Sequence, residues 1–141
     1  MHATTLRPAS LAHLILYVRD QAKASAFYRS VLAVQPRLDV PGMTEFELNA
    51  GAVLGLMPEQ GIKHLLGPVL PDPASAHGAP RAELYLLVPD PQALHARALS
   101  AGASELSSLQ ARSWGHVVAY CLDPEGHVLA FASPLGSQSV A

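Results

Sequence analysis

The chain is poor in charge, in lysine and in cysteine, and each shortage removes a class of function. Only 14% of its 141 residues are charged, where soluble proteins carry about a quarter. So sparse a surface implies cover by another subunit or an apolar pocket. Two lysines, Lys23 and Lys63, and a net charge of −2 leave no basic run, so neither nucleic acid nor an anionic membrane is an expected partner. The single cysteine, Cys121, cannot close an internal disulfide, and on an apolar strand it reads as a small buried residue. The longest early apolar run, Leu14 to Val18, is far short of the ~20 residues of a membrane span. Met1 to Ser10 lacks the apolar stretch of a signal peptide, which makes the cytoplasm the expected location. No Gly-rich phosphate loop, Ser-His-Asp order or Cys-x-x-Cys pair occurs, so those chemistries have no carrier.

What the chain does contain is punctuation. Asp123-Pro124-Glu125-Gly126 places Pro where a turn fixes φ and Gly where it needs positive φ. The flanking segments, Trp114 to Leu122 and Val128 to Ala132, are apolar and β-branched or aromatic, so they are expected to pair as a hairpin. At the other end, Leu11 to Val18 alternates: His13, Ile15 and Tyr17 on one face, Leu14, Leu16 and Val18 on the other. Asp20 follows as an N-cap, and Ala24, Phe27, Tyr28 and Val31 give an apolar helical stripe ending near Val34, ahead of Pro36. Three short strands come next, at Arg37 to Val40, Met43 to Asn49 and Ala52 to Met57, separated by Pro41-Gly42 and Ala50-Gly51.

The pattern then restarts. Glu83 to Asp90 matches His13 to Asp20 at a constant offset of 70, a repeat of pattern more than of identity. Asp90 is a second N-cap with Pro91 at the first helical position. Leu94, Ala98 and Ala101 form its stripe, and Gly102 ends it. Strands near Ser104 to Leu109, Trp114 to Leu122 and Val128 to Ala132 complete a second unit. The expectation is an α+β fold of two tandem βαβββ modules in one domain over 1–141. Module one spans 11–58 and module two 81–134. Between them, Glu59 to Pro80, rich in Pro and Gly, reads as an irregular linker.

The Asp123–Phe131 run resembles that of the vicinal oxygen chelate superfamily, which groups glyoxalase I, the bleomycin-resistance proteins and extradiol dioxygenases. The family's run is close to D-P-D-G-N-x-x-E-L, and here it stands as Asp123, Pro124, Glu125, Gly126, His127, Ala130 and Phe131. The resemblance covers Leu11 to Pro134. It implies sheets curved around a cleft that the non-helix faces line, closed within the chain or across a homodimer. By alternation those linings are His13, Ile15 and Tyr17, and Glu83, Tyr85 and Leu87.

It also implies where a metal would be held, at His13, Gly55, Glu83 and Ala130. Two of these can coordinate nothing, and Ala130 stands where metal-dependent members carry a glutamate. A catalytic metal needs about three protein ligands. The expected function is therefore a metal-independent protein that binds or sequesters an aromatic or partly polar compound, with no cofactor and with no catalytic residue to name. Its ligand-binding residues are His13, Tyr17, Glu83, Tyr85, Trp114 and His116. If the strand face shared by Trp114, His116, Val118 and Tyr120 lines the cleft, Trp114 and Tyr120 supply aromatic walls and His116 a polar handle; if it faces the helix, they are core. The alternative is a divalent-metal lyase, isomerase or dioxygenase using His13 and Glu83 as ligands with a third from Glu45, Glu47 or His116; a His13–Glu83 pair would also serve as an acid/base couple or hold a polar substrate group. His2, His64, His77, His95 and His127 are expected to be solvated.

Overall fold

The computed structural model describes residues 7–136; His2 lies outside them. Eight strands and three helices run in the order β1 (Ala12–Val18), α1 (Gln21–Leu32), β2 (Leu38–Val40), β3 (Met43–Asn49), β4 (Ala52–Pro58), α2 (Glu59–Leu66), β5 (Glu83–Leu87), α3 (Pro91–Ser100), β6 (Ser104–Ala111), β7 (His116–Leu122) and β8 (Val128–Pro134). They form two four-stranded mixed sheets, ordered β1-β4-β3-β2 and β5-β8-β7-β6. In each sheet the first strand runs parallel to the last, and the remaining pairs are antiparallel. These are two tandem βαβββ modules.

Local chemistry sets the boundaries. Asp20 and Asp90 each accept a hydrogen bond from the backbone N–H three residues on, at 3.0 and 3.1 Å, and so cap α1 and α3. Ala33 ends α1 in the left-handed region. Arg97 of α3 donates to the carbonyl of Val31 in the last turn of α1, where a cation is favoured.

The linker is not wholly irregular. Glu59–Leu66 is helical, and two short 3-10 turns follow at Gly67–Val69 and Pro73–Ala76. Lys63 holds this segment by donating to the carbonyls of Gly67 and Leu70. Gly61 and the shortness of the segment hid the helix, whose buried residues are Glu59 and Ile62.

The helix-side faces of both sheets merge into one core. It joins Leu16, Val18, Phe46, Leu54 and Leu56 of the first module to Leu84, Cys121, Leu129 and Phe131 of the second, with Phe27, Tyr28 and Val31 of α1 filling the space between. The opposite faces therefore point away from this shared core.

A buried polar turn locks the modules together. Asp123 accepts from the backbone N–H groups of Glu125 and His127, and from the Tyr28 hydroxyl at 2.5 Å. Glu125, also buried, accepts from the N–H groups of Arg19 and Asp20 and from Arg19 Nε. His127 Nε2 lies 3.0 Å from the Tyr17 carbonyl and 3.1 Å from an Arg81 nitrogen. His127 is thus buried, not solvated, and so is His95, whose Nε2 is 2.7 Å from Glu105 Oε2. Both histidines are held through Nε2, while their buried Nδ1 atoms have no hydrogen-bond partner among the described residues. Gly126 makes the turn possible: its φ is +88°, and a Cβ there would lie 2.0 Å from the Gly78 carbonyl oxygen.

Candidate functional site: the free faces of the two sheets

The free face of the first sheet is closed by charge. His13 Nδ1 lies 3.6 Å from Glu45 Oε2, and Arg37 Nε donates to Glu45 Oε1 at 3.0 Å. The carboxylate that meets His13 is therefore Glu45, not the expected Glu83. His13 and Glu45 sit on neighbouring rows of one sheet, whereas Glu83 begins β5 in the other sheet and is exposed. Exposure also removes the desolvation cost that made a partner for Glu83 attractive. Tyr17 is half-buried on the face of His13 and Ile15.

The free face of the second sheet is aromatic. Val118, Ala130 and Ala132 form a small cluster with Tyr85 and Tyr120 packed against it, separate from the main core. This places the His116–Val118–Tyr120 row on the side away from α3. The Tyr85 hydroxyl is 2.6 Å from His116 Nδ1, and the two rings lie 5.8 Å apart at 33°. Trp114 donates its indole N–H to the same hydroxyl at 3.0 Å. It does so from the β6–β7 turn and not from the strand, since β7 begins at His116; Gly115, at φ +91°, makes the bend.

Beside this group the Arg112 guanidinium lies 5.1 Å from the centre of the Tyr120 ring and donates to Ser107 Oγ and to the Val118 carbonyl, both at 2.8 Å. Burial, then the nearby charge of Glu83 and the Tyr85 phenol, raises the Tyr120 pKa above its usual value, with Arg112 opposing. Arg112 was missed in the sequence because only the β6–β7 pairing brings it back over Tyr120.

The two faces are joined by a groove of about 690 Å³ between the edge strands β1 and β5. Its walls are largely aliphatic: Leu14, Leu32, Val34 and Leu48 from the first module, and Leu84 to Val88 with Leu94 from the second. His13 and Tyr85 both line it. Of the six expected ligand residues, Tyr85 contacts both Trp114 and His116, Glu83 shares their sheet, His13 stands on the far wall of the groove, and Tyr17 is on the other sheet.

The superfamily described as Glyoxalase/Bleomycin resistance protein/Dioxygenase matches residues 10–131. The chain belongs to that superfamily. It is 29% identical over 136 residues to an uncharacterised protein of Mycobacterium bovis, an alignment covering 94% of this chain and 88% of that one. Among solved structures, it resembles a glyoxalase-related enzyme from Fulvimarina pelagi with TM-score 0.74 and 24% identity, covering 93% and 96% of the two chains. A glyoxalase/bleomycin resistance protein/dioxygenase family enzyme from Burkholderia phytofirmans superposes with TM-score 0.76 and 20% identity, covering 90% and 100%.

The four positions at which a metal would be held do not fit one. Ala130 is fully buried between its register partners Tyr85 and Tyr120. At Gly55 a Cβ would lie 3.0 Å from Ile15 Cγ1 and 3.2 Å from Met43 Sδ, so that position is packed over. His13 and Glu83 remain as donors, on different sheets. Among the described residues, no three His, Cys, Asp or Glu side chains converge into a set able to hold a metal ion.

Proposed function

We propose that this chain is a metal-independent small-molecule-binding protein, taking an aromatic or partly polar compound at the free face of the second sheet. The observation that carries the reading is the Trp114, Tyr85 and His116 cluster at the margin of an aliphatic groove. The groove falls within the size range of ligand pockets, and an apolar wall with a few convergent polar groups is their usual composition. Tyr120 and Arg112 extend the aromatic, polar surface, Glu83 stands at its edge, and His13 lines the same groove from the first module; Tyr17 is the first module's further candidate.

A second copy of the chain would close the site. Ile15, Leu38 and Val40 on the first sheet and Leu87 beside Tyr85 are exposed apolar residues, and the low charge content of the whole surface is in keeping with cover by a homodimer partner. No helix among the described residues is long and apolar enough to cross a membrane; a cytoplasmic location accompanies this reading.

Trp114 is the only tryptophan, so its fluorescence reports binding directly. The test is a fluorescence screen of aromatic antibiotics and metabolites before and after EDTA treatment, with sedimentation equilibrium for the dimer. Saturable ligands with affinity unchanged by the chelator are expected. Ligands that bind only with added divalent ion would overturn the metal-independent reading, and a screen with no ligand would overturn binding itself.

A further inference from the structure

The hydrogen bonds around Tyr85 define which proton His116 carries. The Trp114 indole nitrogen only donates, so at the Tyr85 hydroxyl it occupies a lone pair of the oxygen. The phenolic proton then needs an acceptor, and the contact at that oxygen able to accept is His116 Nδ1. A neutral imidazole that accepts at Nδ1 carries its proton at Nε2. Among the described residues no group is hydrogen-bonded to that Nε2.

We propose that Tyr85, itself held by Trp114, is a positioning residue that fixes His116 as the Nε2–H tautomer, and that His116 thereby selects planar ligands presenting a carbonyl oxygen. This deepens the small-molecule reading above and rests on it. Trp114, about half exposed, offers the flat surface against which such a ring would lie. A neutral carbonyl suits the face better than a carboxylate, because Glu83 lies close enough to raise the Tyr120 pKa while the Arg112 guanidinium is engaged with Ser107 and Val118. A site that offers an N–H to a ligand oxygen discriminates against the analogue lacking it, since the donor is then left unpaired.

The test uses the full chain, wild type and Tyr85→Phe, with nitrogen NMR of the imidazoles assigned through His116→Gln. In parallel, Trp114 fluorescence is titrated with 2-acetylnaphthalene and with 2-ethylnaphthalene, which lacks the oxygen. The expected result is a protonated Nε2 and a bare Nδ1 at His116 in the wild type, and a tautomer mixture in Tyr85→Phe. The ketone is expected to bind roughly 3- to 10-fold more tightly than the hydrocarbon, a preference that shrinks in Tyr85→Phe. A proton on Nδ1 in the wild type, a tautomer unmoved by Tyr85→Phe, or equal affinity for the two probes would each overturn the proposal. If the tautomer is as stated and neither probe binds, the small-molecule reading and the ligand class fall together, and the positioning role of Tyr85 stands.

Discussion

The two modules share a topology and differ in how they are packed. In the first, α1 presses Phe27, Tyr28 and Val31 onto its sheet, and all three are nearly inaccessible. In the second, the corresponding stripe of α3 is thinner, with Pro91, His95 and Ala98 as its buried residues. The consequence shows on the matching strands. Leu16 and Val18 of β1 are buried, whereas their counterparts at the offset of 70, Leu86 and Val88, remain half-buried and line the groove. The free faces differ in the opposite sense, the first occupied by the polar side chains of His13, Glu45 and Arg37 and the second by aromatic rings. A repeated fold thus supplies one half packed closely under its helix and one half with a thinner helix stripe, and the groove runs between the two.

That division is broken most severely at the turn that joins the halves. Gly126→Ala forces a left-handed residue to carry a Cβ into the Gly78 carbonyl oxygen, and the buried acceptors Asp123 and Glu125 move with it. A loss of at least ~3 kcal/mol in urea unfolding is expected, since both strained backbone and disrupted buried hydrogen bonds contribute. A variant as stable as the wild type would mean that the turn and the 3-10 segment facing it are not held in register.

Next in size is the contrast between the two helices. Phe27→Ala should cost about 3–5 kcal/mol, the range for a fully buried aromatic, because Phe27 is 3% exposed. Leu94→Ala removes a side chain at the wall of an open groove and should cost no more than about 1–2 kcal/mol, since the cavity term is small where water already reaches. Equal losses would show that the second module is packed as tightly as the first.

Alkaline pH probes the shared core from both sides. Burial, with Asp123 and Glu105 adding, pushes the Cys121 thiol up to about 12; burial and then Asp123 hold the Tyr28 phenol well above its usual value. In the unfolded chain these groups ionise near ~8.5 and ~10. Above those values the unfolded state binds fewer protons than the native state, so stability is full below about pH 8.5 and falls as pH rises towards 12. Thermal midpoints across this window should decline, and Cys121→Ala should flatten the early part of the decline. A flat wild-type profile would place both groups in contact with solvent.

Much of the fold is legible from local signals: the two Asp caps, the Pro-Gly turns and the offset of 70 are short-range chemistry that the structure uses. What escapes is set by distant partners. His127 lies in a turn and looks solvated, yet the Tyr17 carbonyl beside its Nε2 lies 110 residues away. His95 is buried only because Glu105 folds back against it. The helix Glu59–Leu66 has too few turns for a period to emerge and is fixed by Lys63 reaching forward to Leu70. At the candidate site, alternation assigns Tyr85 to a free face and puts His116, Val118 and Tyr120 on one face of their strand, but it cannot reveal which face that is or that Trp114 joins Tyr85 from a turn. Nor can it show that His13 turns to Glu45, because that depends on which faces of the modules meet.

The smallest expected effect is the sharpest test of the division. His13 is about one-third exposed, and its contact with Glu45 is worth no more than the roughly 0–1 kcal/mol of an exposed pair. His13→Ala should therefore leave the unfolding midpoint almost unchanged. If the aromatic face is the binding half, His13→Ala should also weaken a ring ketone no more than about 2-fold, less than His116→Ala, which removes a hydrogen-bond donor. Fluorescence titration of both variants decides it. Equal losses would mean that the charged face of the first sheet takes part in the same site, an outcome that requires His13 to act across the β1–β5 groove or a second copy to bring its first sheet over the Tyr85 face.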